Sequence, residues 1–412
     1  MILHRGADRR RIRSGGPLVL GTLLLAVIRA TPALAQDPGL SWSDDVSHRI
    51  ERTGPPSPLP VDLQFFVGER YTHDSNIFLS PKPTTSDSIL TSFGRVKLQY
   101  ADTAVDIDSD LLADYNSFLQ NHSVSADEER LYGRIRYTGS EVFAELGEVF
   151  RRESSPLDVV FPDRSRRTVS DTLPRIGLDW QKGGTIDASA DIQDTQFQQQ
   201  AFRIMNNLES RILLTVAQEI EGGMTLLLDG GYQSIHYASV STVPDVEGYF
   251  ARAGGHGELL PTVTVDARVG VTSVTTQTLP GTTDRIRHST VDAEAHIRTE
   301  PNDRITLYAD YTRRIVFGLG EPFQTVDLAD LIAEYAVDPD FKIRVRGQAD
   351  RSHGSSGELR SYRQISLGAS YTILGTMILD GDVTFRRGRS QQLAGQENFD
   401  DTLVSAGVAI TF

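Results

Sequence analysis

The chain has 412 residues, a formal charge of −14, 39% apolar residues and no cysteine, with a mean hydropathy of −0.26. The missing cysteines exclude disulfides and thiolate metal centres, and the acidity argues against nucleic acid as a partner. The polar average excludes a bundle of long apolar helices. It leaves a soluble β protein and a membrane barrel open, because a barrel alternates apolar with polar residues.

In chain order, residues 1–35 read as a secretory signal peptide. The basic stretch HRGADRRRIRSGG precedes the apolar PLVLGTLLLAVI, and RATPALA follows as a small-residue cleavage site. Cleavage is expected after Ala35. The apolar core is about a dozen residues, short of the roughly 20 that a helix needs to cross a bilayer. The leader carries six arginines and one aspartate, a net +5, so its removal takes the charge from −14 to −19. Residues 36–60 are polar, proline-rich and without a period, as expected of a periplasmic N-terminal segment.

From Val61 to the end the pattern changes. In FKIRVRGQAD, Phe341, Ile343, Val345, Gly347 and Ala349 fall on one face, and Lys342, Arg344, Arg346, Gln348 and Asp350 on the other. Side chains alternate across a strand, so this is a strand with one apolar and one charged side. The same alternation sets Val105, Ile107, Leu111, Ala113 and Tyr115 against Asp106, Asp108, Asp110 and Asp114. It sets Val291, Ala293, Ala295 and Ile297 against Asp292, Glu294, His296 and Arg298. The runs last about ten residues or more, the length a tilted strand needs to cross a membrane.

Short links such as YADTAV, WQKGGTI, EIEGGMT and ILGTMI alternate with longer polar ones around 72–88, 116–128, 151–168, 197–206, 237–246, 276–286, 316–323, 352–360 and 389–398. Short periplasmic turns and longer external loops are the asymmetry of outer-membrane barrels. The expected fold is all-β: a single transmembrane, antiparallel, up-and-down barrel of about 18 strands over residues 61–412. Both termini are expected on the periplasmic side of a Gram-negative outer membrane. Tyr100, Tyr115, Tyr137, Trp180, Tyr232, Tyr311, Tyr335 and Tyr371 fit a girdle at the lipid–water boundaries. Some could instead stack sugar rings in the lumen.

The last strand, LVSAGVAITF, alternates Val404, Ala406, Val408, Ile410 and Phe412 on one side. Its terminal aromatic, with Val408 and Ile410, resembles the signal read by the barrel-assembly machinery. That machinery, outer-membrane lipid and lipopolysaccharide are therefore expected partners.

The stretch VDLQFFVGERYTHDSNIFLSP, preceded by VSHRIERTGPPSPLP, resembles the opening of the β-barrel porin type 2 family. Asp74, Ser75, Asn76, Ile77 and Phe78 match its Asp-Ser-Asn-Ile-Phe segment. Arg49 and Arg52 stand where the family has a denser Arg-Pro lead. The motif spans about twenty residues, and the rest of the likeness is barrel grammar that any porin shares. Some members resemble outer-membrane proteins of exopolysaccharide biosynthesis and export operons. The resemblance thus implies a channel or scaffold for polysaccharide passage, with polysaccharide and export-system proteins as partners. It implies no catalytic residues and no cofactor.

The residues expected to line the lumen are Asp106, Asp108, Asp110, Asp187, Asp191, Arg130, Arg134, Arg136, Lys342, Arg344 and Arg346. A wall with acidic and basic stretches can set up a transverse field that orients polar solutes. The same charges can equally pair with one another and merely solvate the lumen. At Asp74-Ser75-Asn76 a turn competes with a site for calcium or a lipopolysaccharide-bridging cation. His73-Asp74 beside Asp400-Asp401 is the one constellation that could activate water. Without Gly-x-Ser-x-Gly or His-Glu-x-x-His, no enzyme activity and no metal site is expected. A general diffusion porin for small polar solutes and a non-conducting structural or adhesive barrel are the alternative functions. The segment over 36–60 is too short for a plug domain, and no inward-folded loop is identifiable.

Overall fold

Alternation of this kind leaves each strand one apolar and one polar face, and closing the sheet on itself leaves no unpaired edge. The computed structural model describes residues 61–80, 84–154, 156–158, 161–164, 166–180, 183–220, 223–238, 244–277, 285–316, 323–355, 357, 359–392 and 395–412. The expected leader and the segment over 36–60 lie outside them.

The strands are β1 (Val61–Asp74), β2 (Asp87–Ala101), β3 (Val105–Phe118), β4 (Ala126–Thr138), β5 (Val142–Glu153), β6 (Pro156–Asp158), β7 (Phe161–Arg164), β8 (Arg167–Trp180), β9 (Gly184–Phe197) and β10 (Asn207–Glu219). They continue as β11 (Met224–Tyr237), β12 (Val246–Leu260), β13 (Val263–Gln277), β14 (Arg285–Asn302), β15 (Ile305–Val316), β16 (Gln324–Ala336), β17 (Phe341–Gly354), β18 (Leu359–Ile373), β19 (Met377–Gln392) and β20 (Gly395–Thr411). Eighteen of them form one antiparallel sheet, while β6 and β7 make a separate hairpin in the link between β5 and β8. Each strand pairs with its chain neighbours, and β1 also pairs with β20 from Phe66–Thr411 to Asp74–Leu403. The sheet is therefore a closed 18-stranded up-and-down barrel. Among the described residues no helix is long and apolar enough to cross a membrane.

Paired residues can be followed from Leu63 through Leu98, Ser109, Gly133, Glu148, Thr172, Ile192, Ser210, Ser234, Glu247 and Thr275 to Arg287. The path climbs from the end holding the termini to the opposite, distal end, as strand tilt in a barrel requires. The outward face between the ends is apolar and exposed: Leu111, Ile135, Leu146, Ile176, Leu214, Leu228, Val269 and Leu367 all lie on it. Exposed Tyr137, Trp180, Tyr335 and Tyr371 ring this belt near the termini, and Tyr71, Tyr115, Tyr249 and Tyr311 ring it at the distal side. That is the arrangement of a barrel standing in a bilayer.

Two of the long links expected from the sequence are shorter. Strands β17 and β18 run to Gly354 and from Leu359, and β19 and β20 run to Gln392 and from Gly395. Once a strand leaves the membrane its outward residues can be charged, as Arg363, Arg387 and Asp400 are here. The alternation then disappears while the ladder continues.

Glycine decides how closely β12 and β13 approach. A Cβ on Gly270 would sit 1.9 Å from the Ala251 carbonyl oxygen, and one on Gly254 would sit 2.0 Å from that of Ala267. The variant Gly270→Val is expected to lose about 1–3 kcal/mol through overpacking. The loss would appear as a lower temperature for the shift from folded to unfolded gel mobility. An unchanged transition would refute the close-approach account.

Candidate functional site

Among the described residues the inner wall is the polar surface that the fold encloses, so it is the place to look for function. The register turns Asp106, Asp108 and Asp110 of β3 inward, opposite Arg136, Arg134 and Tyr132 of β4. Asp108 forms an ion pair with Arg134, and Asp110 accepts from Arg95 Nε at 2.7 Å. Arg136 lies 3.9 Å from Glu145 and 5.0 Å over the Phe143 ring. Arg175 covers the same ring at 5.1 Å and holds Asp187 at 3.0 and 2.9 Å. Phe143 thus fixes two guanidiniums by cation–π contact.

On β16 and β17, Arg344 donates to Glu334 at 2.8 Å and Arg346 to Asp330 at 3.0 Å. Asp191, Arg130 and Lys342 also face inward by register. Among the described pairs, seven of the eleven charged residues singled out in the sequence meet an opposite charge on a neighbouring strand: Asp108, Asp110, Asp187, Arg134, Arg136, Arg344 and Arg346. The wall is a set of cross-strand ion pairs more than a field of free charge.

The densest part of the wall came from residues the sequence did not single out. Asp229 of β11 accepts from Arg252 at 3.1 Å and from Arg268 at 3.0 Å. Arg252 also reaches Glu294 at 3.0 Å and Asp292 at 3.6 Å. His296 lies between two carboxylates, with Nδ1 2.6 Å from Asp310 and Nε2 2.9 Å from Glu294. The network runs across β11 to β15. Alternation predicts the inward side for each of these residues, but their convergence depends on register, which no local pattern encodes.

Apolar clusters narrow the distal mouth. Ile77 packs on the inward Ile89 and Phe118, with Phe78 and Val124 against them. Met205 and Phe202 pack on Phe197, and Phe323 joins Ile235, Tyr237, Val246, Val274 and Ile315. Residues of four distal links therefore turn inward, none of them marked by any periodicity in the sequence.

The Asp-Ser-Asn-Ile-Phe segment closes the barrel seam. Asp74 Oδ1 accepts from the Asn76 backbone N–H at 2.8 Å, and Asp74 Oδ2 lies 3.3 Å from Arg386. Ser75 Oγ donates to Asp401 at 2.8 Å and accepts from the Thr402 N–H at 2.8 Å. Asn76 Nδ2 donates to the Ser80 carbonyl at 2.9 Å, and its Oδ1 accepts from the Ser80 N–H at 3.1 Å. These oxygens are engaged in a turn and a seam clasp, the first of the two expectations. Among the described residues no group of three or more His, Asp or Glu could hold a metal ion.

The possible water-activating constellation does not assemble. His73 and Asp400 face outward, near Ser88 and Arg387 respectively. Asp74 and Asp401 face inward, and both contact Arg386. Strand alternation separates the four groups onto opposite sides of the wall.

No family model matches this chain, and no curated protein matches it. The resemblance to the β-barrel porin type 2 family and to exopolysaccharide-operon barrels thus finds no support in these comparisons. Among solved structures, the chain is similar to the outer membrane protein opdK from Pseudomonas aeruginosa. Identity is 11% and the TM-score 0.46, over 85% of this chain and 99% of that one. It is similar to OccAB3 of Acinetobacter baumannii at 9% identity and TM-score 0.46, with the same coverage. A BenF-like porin from Pseudomonas fluorescens Pf-5 gives the same values. Identities this low carry no residue correspondences.

Proposed function

We propose that this protein is an outer-membrane channel through which small hydrophilic solutes diffuse. The observation that supports this is the inward face of the closed barrel, lined by charged and hydroxyl side chains on every strand from β1 to β20 except the separate β6–β7 hairpin. Barrels of 16–18 strands leave an aqueous channel when no plug fills them. The in-turned mouth clusters favour small solutes over a polymer. No observation favours polysaccharide export, so the diffusion reading stands first. In this reading the short turns and both termini face the periplasm, and lipopolysaccharide and the barrel-assembly machinery are the partners.

Purified protein in planar bilayers is expected to give discrete ohmic current steps. Acidic residues exceed basic ones at the described inward positions, so the reversal potential in a salt gradient should show a mild preference for cations. Absence of current from folded protein would reject the channel and leave a structural barrel.

A further inference from the structure

The outer wall above the distal tyrosines is not uniform in charge. Across β15 to β19, Arg313, Asp327, Arg351, Ser361 and Arg389 are successive register partners on the outward face. One step nearer the apolar belt the partners are Ala349, Arg363, Arg387 and Asp400. Five arginines thus share two aspartates. Arg313 takes Asp327 at 3.0 Å, and Arg387 takes Asp400 at 2.6 Å. Arg351, Arg363 and Arg389 are exposed, and among the described residues no carboxylate is paired with them.

Arg363 and Arg387 stand directly opposite each other, an arrangement that destabilises a sheet unless an anion lies between the two charges. Directly below them, Ile365, Leu367 and Phe385 are 62%, 57% and 57% exposed on the belt. Around β4 and β5 the outer wall has the reverse sign: Asp127, Glu129 and Glu148 face outward there, with Arg152 and Arg166 among them.

We propose that Arg351, Arg363, Arg387 and Arg389 form a binding site for the phosphate groups of an anionic glycolipid of lipid A chemistry. Its acyl chains lie against Ile365, Leu367 and Phe385. Guanidinium forks bind phosphate in bidentate fashion, and cations at the boundary between apolar belt and water meet a headgroup where its phosphates sit. The acidic sector cannot do this, so the lipid is held on one side of the barrel. The site rests on the orientation proposed above, which puts the distal rim in the outer leaflet, but not on conduction, because a non-conducting barrel would hold the same lipid.

The test is a titration of the full mature protein, freed of lipopolysaccharide and folded in neutral detergent. The probes are bis-phosphorylated lipid A, dephosphorylated lipid A and inorganic phosphate, read by native mass spectrometry. Lipid A is expected to bind saturably, and the dephosphorylated form about tenfold more weakly or worse. Replacing the four arginines (R351Q, R363Q, R387Q and R389Q together) should weaken lipid A by about tenfold or more, whereas R152Q should leave it unchanged. Should the fourfold variant not show folded gel mobility, R363Q alone is expected to weaken binding about threefold.

Unchanged affinity in the glutamine variants would overturn the site. Equal binding of inorganic phosphate would overturn its lipid specificity. Lipid-free dimers abolished by the fourfold variant would make the acidic sector of a second copy the occupant instead. Conductance of that variant in neutral bilayers is expected to match the parent, which keeps a failure here distinct from a failure of the channel reading.

Discussion

Replacing Arg386 by alanine is expected to open the barrel where its first and last strands meet. Arg386 of β19 donates to Asp401 of β20 at 2.7 Å and lies 3.3 Å from Asp74 of β1. The side chains of Arg386, Asp74 and Asp401 are 4%, 5% and 0% exposed. Without the guanidinium, two carboxylates remain buried beside each other with no cation. Removing one partner of a buried pair costs about 3–5 kcal/mol, far more than the pair adds over apolar packing.

The cost falls on the seam between β1 and β20, which is paired only from Phe66 to Asp74, whereas β1 and β2 pair from Val61 to Asp74. The midpoint of urea unfolding in detergent, read by heat-modifiable gel mobility, should fall sharply. Adding Asp74→Asn and Asp401→Asn to Arg386→Ala should restore much of the loss, because the penalty comes from uncompensated charge. An Arg386→Ala barrel as stable as its parent would refute the clasp.

The second large effect is expected at Asp229, and it is functional as well as structural. Its carboxylate is the shared acceptor for Arg252 and Arg268 and is 2% exposed. Asp229→Ala should destabilise the barrel by about 3 kcal/mol, the loss expected when a buried ion pair is broken from one side. In barrels that do fold, two guanidiniums lose that neutralising charge and remain at the inner wall. The permeability ratio in a salt gradient should therefore move toward anions. A cation preference unchanged from the parent would mean that this stretch of wall does not control the current.

Much of the candidate site was readable as a side of the wall and little of it as a constellation. Asp108, Arg134, Arg344 and Arg346 could be assigned inward from their neighbours, because a polar side chain between two apolar ones has only one face to occupy. Asp108 and Arg134 meet each other across β3 and β4, and Arg344 and Arg346 meet Glu334 and Asp330 across β16 and β17, at offsets set by turn lengths and tilt. The network of Arg252, Asp229, Glu294 and His296 was missed for that reason. The mouth residues Ile77, Met205 and Phe323 were missed because links carry no period.

Which side chain meets lipid and which faces the interior was determined by the sequence alone. A slip of one residue would exchange the faces of an entire strand, and the membrane makes that prohibitively unfavourable. The strand count followed, since each crossing needs its own alternating run. The tertiary structure decided the rest: the union of β1 with β20, the buried clasp on Arg386, and the extension of β17 to β20 as a ladder above the membrane with arginines on its outer side. The seam and its clasp depend on contacts of β1 with strands more than 300 positions away, and for the ladder no solvent boundary outside the bilayer forces the pattern into view.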